Sequence, residues 1–114
     1  MDHASEIRAE MELADASRAA GNEGRARVCA RRAAGMAARD FLSRHQQKPE
    51  EAAQDRLNKD SAYVALQELA KFPSLAPELK SAAIYLTMRV SPEFQLPNGI
   101  DLIAEAYELI GGIK

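Results

Sequence analysis

Apolar residues recur along most of the chain at spacings of three and four, the period of one face of an α-helix. Ile7, Met11 and Ala14 form one row and Ala9, Leu13, Ala16 and Ala20 a parallel one, which predicts a first helix from about Ser5 to Ala20. Gly21 then supplies a C-cap, and Asn22 an N-cap for the next helix. Ala26, Cys29, Ala30, Ala33, Met36, Ala37 and Phe41 line one side of that second helix, from about Glu23 to Arg44. So short a connection makes the two antiparallel neighbours, and the alanines on both facing rows let the axes approach closely.

The polar stretch from His45 to Lys59, with its one proline, separates this hairpin from the later helices and reads as a loop. A third helix starts at Asp60 or Ser61, carries Tyr63, Leu66, Leu69 and Ala70, and is stopped by Pro73. Pro77 opens a fourth at a favourable first-turn position, with Leu79, Ala82, Ala83, Leu86 and Val90 on its apolar side. Pro92 and Pro97 keep Ser91 to Gly99 from being helical throughout, and Phe94 and Leu96 are expected to anchor that stretch on the bundle. A fifth helix is expected to begin at Asn98, with Asp101 near its positive end. It presents Ile100, Ile103, Ala106, Tyr107 and Ile110 before Gly111 and Gly112 end it. The expected fold class is all-α: a single domain over residues 1–114, an up-and-down antiparallel helical bundle of four to five helices.

Composition narrows the class further. With 46% apolar residues, six Gly and five Pro, the chain is neither disordered nor collagen-like nor of low complexity. The single cysteine, Cys29, makes no internal disulfide and no cysteine zinc site, which fits a reducing cytoplasm. No stretch approaches ~18 consecutive apolar residues and the N-terminal residues lack a basic stretch followed by an apolar one, so a cytoplasmic protein is expected rather than a secreted or membrane-spanning one. The sequence contains no Glu-x-x-His pair, no G-x-S-x-G and no CxxC, and neither a metal nor a cofactor is expected. Cys29 among alanines reads as a small buried apolar residue.

Charge falls in blocks that the net value of −2 conceals. Residues 1–23 hold two basic and six acidic groups (−4), residues 24–44 six arginines and one aspartate (+5), and residues 45–114 the remaining −3. An acidic first helix against a basic second one sets Glu6, Glu10, Glu12 and Asp15 near several arginines, pairs that fix register more than they add stability. The alternative is an anion-binding stripe of Arg25, Arg32 and Arg39, which are seven residues apart and share one helix face. The acidic domain lacks the broad basic surface of a duplex-binding protein.

Two further sets of residues could carry function. Arg39 and His45 could support RNA cleavage, the guanidinium stabilising a phosphate and the imidazole moving a proton. Six residues of helix set them about 120° apart, however, and a His at a helix C-terminus is ordinarily held there by the negative helix end. Tyr63 and Tyr107 fall on apolar rows and are expected in the core, whereas Tyr85 lies off its row. Tyr85, Arg89 and Phe94 are therefore candidate anchors of a protein interface.

The stretch IRAEMELADASRAAGNEGRARVCARRAAGMAARDFL, residues 7–42, resembles the first helical pair of HEPN (higher eukaryotes and prokaryotes nucleotide-binding) domains. YLTMRVSPEF, residues 85–94, is similar to their late segment with an aromatic, an arginine and a proline. The resemblance implies an up-and-down bundle that commonly dimerises, in a family that includes ribonuclease toxins paired with nucleotidyltransferase antitoxins. Its catalytic members carry an Arg followed four to six residues later by His, which here only Arg39 and His45 match; Arg89 has no His after it. The expected function is thus a non-catalytic, self-associating interaction module, with a dimer and a nucleotidyltransferase-type protein as partners. An HEPN ribonuclease using Arg39 and His45, or a module binding nucleotide, phosphate or RNA, is the alternative.

Overall fold

The computed structural model describes residues 3–45, 62–87 and 100–113, and every regular element among them is a helix. These are α1 (His3–Ala19), α2 (Glu23–His45), α3 (Ala62–Ala70), α4 (Pro77–Thr87) and α5 (Leu102–Gly112), consistent with the expected up-and-down bundle. The expected start of α3, the loop before it, Val90 and the Ser91 to Gly99 stretch lie outside the described residues.

The α1–α2 turn is built by two residues. Gly21 takes φ +83°, a conformation that costs glycine little. Its N–H donates to the Arg18 carbonyl at 3.0 Å, and the Asn22 N–H donates to the Ser17 carbonyl at 2.8 Å. These are the paired bonds of a Schellman cap, which satisfy carbonyls that the helix end would leave open. Asn22 then caps α2, its Oδ1 accepting from the Arg25 N–H at 3.1 Å.

Helix α2 is the axis of the molecule: α1, α3 and α5 each pack against it, and α4 joins α3 to α5. Its packing surface is mostly alanine, with Ala26, Ala30, Ala33, Ala34 and Ala38 fully buried. The larger side chains come mainly from its neighbours, Leu66, Leu69, Leu86, Leu102 and Leu109 among them, with Leu42 from α2 itself. Small residues on the central helix let three others crowd round it. Helix α3 comes close to α2 at Gly35, where a Cβ would lie 2.5 Å from the Ala62 Cβ and 2.7 Å from its Cα.

After Ala70 the chain turns through Phe72, whose ring meets Phe41 edge-on at 5.2 Å. Pro77 opens α4 as its spacing predicts. Helix α5 differs from expectation at both ends. It begins at Leu102, not Asn98, because Asp101 is the N-cap and accepts from the Ile103 and Ala104 N–H groups. It also runs through Gly111 and Gly112, since the buried Ile113, whose N–H bonds to the Leu109 carbonyl, closes it one step later. At Gly112 a Cβ would meet the Leu79 δ-carbons at 2.6 and 2.8 Å, so a larger residue there would make that side chain turn aside. No helix among the described residues is long and apolar enough to cross a membrane.

Candidate functional site

Helices α1 and α3 both pack on α2, whereas no comparable packing joins α1 to α3. A strip of α2 is therefore left between them. Beside α3 it becomes a groove of about 380 Å³, lined by Val28, Arg31, Arg32, Met36 and Arg39 from α2 and by Ala62 and Tyr63 from α3. The Gly35–Ala62 contact sets the two helices' separation alongside it.

Each cation of the groove is held differently. The Arg31 guanidinium lies over the Tyr63 ring, its Cζ 4.8 Å from the ring centre, and its Nε donates to the Leu86 carbonyl at 2.6 Å. Arg31 thus ties α2 to α3 and to the last turn of α4, where the helix end favours a positive charge. Arg32 is 3.6 Å from Glu10 of α1, and 59% of its side chain stays exposed. Arg39 is half-buried at the far end of the strip. Val28 is 47% and Tyr63 38% exposed, so apolar surface lies open among the guanidiniums.

Of the predicted stripe, the groove brings together Arg32 and Arg39 and leaves Arg25, exposed near the start of α2, outside its lining. The pairing expected between α1 and α2 occurs at Glu10 and Arg32. Asp15 turns instead to α5 and accepts from the Tyr107 hydroxyl.

The tyrosine expectation is reversed. Tyr63 and Tyr107, 49% exposed, sit on helix flanks, 60–100° round from the buried rows, while Tyr85 is half-buried against the core. Arg89, Phe94 and the side chain of His45 lie outside the described residues. Helix α2 carries Arg39 and His45 six residues, or about 9 Å of rise, apart. Among the described residues no group of three or more His, Cys, Asp or Glu is placed to hold a metal, and Cys29 is buried.

A second charged surface is built by α1 and α5. Glu12, Asp15 and Glu108 are exposed around Tyr107. The hydrogen bond to Asp15, burial, and the charges of Asp15 and Glu12 together raise the Tyr107 phenol above its ordinary pKa. Burial, then the neighbouring Glu108 and Asp101, raises the Glu105 carboxyl likewise. At the end of this face Arg18 donates through Nε and Nη2 to Glu23, both at 2.8 Å, and through Nη1 and Nη2 to Asp101, both at 2.9 Å. Those bonds hold Glu23 and Asp101 below the usual carboxylate range.

The i, i+7 stripe omits Arg31, which is one residue and 100° away from Arg32 and so faces α3. Only the fold could pair it with Tyr63, because nothing in local spacing marks a contact between separate helices. No protein-family model matches the chain, and no similar curated protein or solved structure was found.

Proposed function

We propose that the protein is a non-catalytic interaction module that docks an acidic protein surface, carrying an apolar or aromatic anchor, in the groove beside α3. The observation that carries this reading is the lining: three guanidiniums interleaved with Val28, Met36 and the Tyr63 ring on one open strip. Arginine, tyrosine and methionine are the residue types enriched where protein partners bind, and the volume suits a single inserted side chain with its neighbours. Guanidiniums on a rigid helix also bind carboxylates in a defined orientation. The HEPN resemblance implies a bundle that self-associates, in keeping with such a role, and of the groove residues it bears on Arg39 alone.

The test is fluorescence anisotropy with a labelled helical peptide bearing Glu residues and one exposed aromatic, beside the same peptide with Lys in place of Glu. The acidic peptide is expected to bind, more weakly as salt rises, and to lose at least tenfold in affinity to the double variant Val28→Asp, Arg32→Ala. Equal binding of both peptides, or of wild type and variant, would overturn the reading. RNA cleavage that disappears in Arg39→Ala and in His45→Ala would favour the ribonuclease alternative instead.

A further inference from the structure

We infer that the acidic surface taken by the groove is on a second copy of the chain: the α1–α5 face around Tyr107. The inference rests on the docking role proposed above and names its occupant. That face presents what the groove lacks. Glu12, Asp15 and Glu108 surround a Tyr107 that keeps 49% of its surface exposed. The groove offers Arg31, Arg32 and Arg39 around the partly open Val28 and Tyr63. The aromatic ring is the anchor and the carboxylates are its rim.

The two surfaces cannot meet within one molecule. On α1, Glu10 borders the groove through Arg32, and Asp15 contacts Tyr107 of α5. Five residues of helix turn those two positions about 140° apart, so groove and acidic face lie on opposite flanks of α1. A two-fold dimer through either surface would set like charges against each other, groove on groove or carboxylates on carboxylates. Opposite charges meet only when the face of one copy enters the groove of the next. Lying on opposite flanks of α1, the two surfaces of one copy cannot both engage the same neighbour, so the contact is heterologous: each copy keeps a free groove at one end and a free face at the other.

That geometry has a signature that two-fold association does not share. We would damage the groove with Val28→Asp and Arg32→Ala in one variant, and the face with Glu12→Lys and Glu108→Lys in another. All four positions are exposed, and thermal melts would establish that both variants fold. Light scattering of the wild type should give a mass that rises above 12.5 kDa with concentration and falls with salt. Each variant alone should be monomeric. An equimolar mixture should form a one-to-one pair and nothing larger, since it contains one intact groove and one intact face.

A wild type that stays monomeric at every concentration overturns the inference, as does a variant that associates alone or a mixture that stays monomeric. Should a double variant melt early, the milder pair Arg32→Ala and Glu108→Lys is scored in the same mixing experiment. Failure of the self-docking inference is separable from failure of the docking role. If the acidic peptide binds a strictly monomeric wild type, the groove keeps its role and the second copy is excluded; if that peptide fails to bind, the role itself falls.

Discussion

Two groups of arginines, at the α1–α2 turn and along the groove, are held in different ways. Arg18 reaches two carboxylates, Glu23 and Asp101, and binds each through two nitrogens, so one side chain joins the end of α1, the start of α2 and the cap of α5. Arg27 lies 3.7 Å from Glu23 as well, so two arginines and two carboxylates meet at that junction. In the groove three guanidiniums share one strip, where Glu10 approaches Arg32 at 3.6 Å and Arg31 lies over the Tyr63 ring. Where carboxylates converge on an arginine, it becomes a fastening. Where arginines line an open strip beside apolar surface, they can meet the carboxylates of a docking partner, and that lining supports the functional reading.

The largest expected effect comes from breaking the groove's frame. Gly35→Ala would set a methyl against the Ala62 backbone, which cannot rotate away as a flexible side chain could. Overpacking of this kind costs about 1–3 kcal/mol, against about 0.5–1 kcal/mol gained by replacing glycine within a helix, so a net loss of stability is expected. Gly111→Ala is the control, since a Cβ there meets nothing within 4 Å. Urea unfolding should show the first variant less stable and the second unchanged or slightly more stable. Equal effects would remove Gly35 as the residue that sets the α2–α3 separation.

Next comes the Arg18 fastening. Asp101→Ala removes an N-cap worth about 1 kcal/mol together with one arm of the ion-pair cluster. Asp101→Asn keeps a capping oxygen and should cost less. Arg18→Met should cost at most about 1 kcal/mol, because its side chain and those of both partners are 37–46% exposed and water screens the pairs. Chemical denaturation at pH 7 is expected to rank the variants in that order; an Asp101→Asn as damaging as Asp101→Ala would assign the loss to the ion pair and not the cap.

Acid should expose the same fastening. Hydrogen bonds from Arg18 hold Glu23 and Asp101 below their usual range, so their contribution is present above the ordinary carboxylate pKa and is lost as pH falls through their lowered folded values. Wild type is accordingly expected to lose stability below about pH 4, and Arg18→Met to show a flatter loss over the same range. Parallel acid-titration curves for the two proteins would remove these carboxylates as the cause.

Legibility in the sequence tracks the range of each interaction. The α1–α2 hairpin is readable because its signals are local: two apolar rows, a glycine that can take positive φ, and an asparagine one residue before the next helix. Pro77 is readable for the same reason. Helix α5 departs from its sequence reading at its start because Asp101, and not Asn98, is the cap, and at its end because two glycines in sequence cannot reveal that Leu79 fills the space beside Gly112, or that Ile113 is buried. The charge blocks point correctly to Glu10 and Arg32 but not to the partner of Asp15, which is 92 residues away on α5. The stripe finds two groove arginines; the third depends on Tyr63 and Leu86, contacts that only tertiary packing creates.

The smallest expected effect sharpens the acidic side of the comparison. Burial, then Glu108 and Asp101, raises the Glu105 carboxyl above its ordinary pKa. A group shifted in that direction contributes most below the unfolded value, and the contribution is lost as pH rises through the folded one, so at pH 7 its charge weighs against folding. Glu105→Gln removes that charge. The gain should stay below about 0.5 kcal/mol, because Glu105 lies in the first turn of α5, where the helix end partly favours an anion. The difference from wild type, followed by urea unfolding from pH 7 to pH 3, should shrink as the native carboxyl takes up its proton. A gap that stays constant would mean that packing, and not the negative charge shared by α1 and α5, sets the stability of this face.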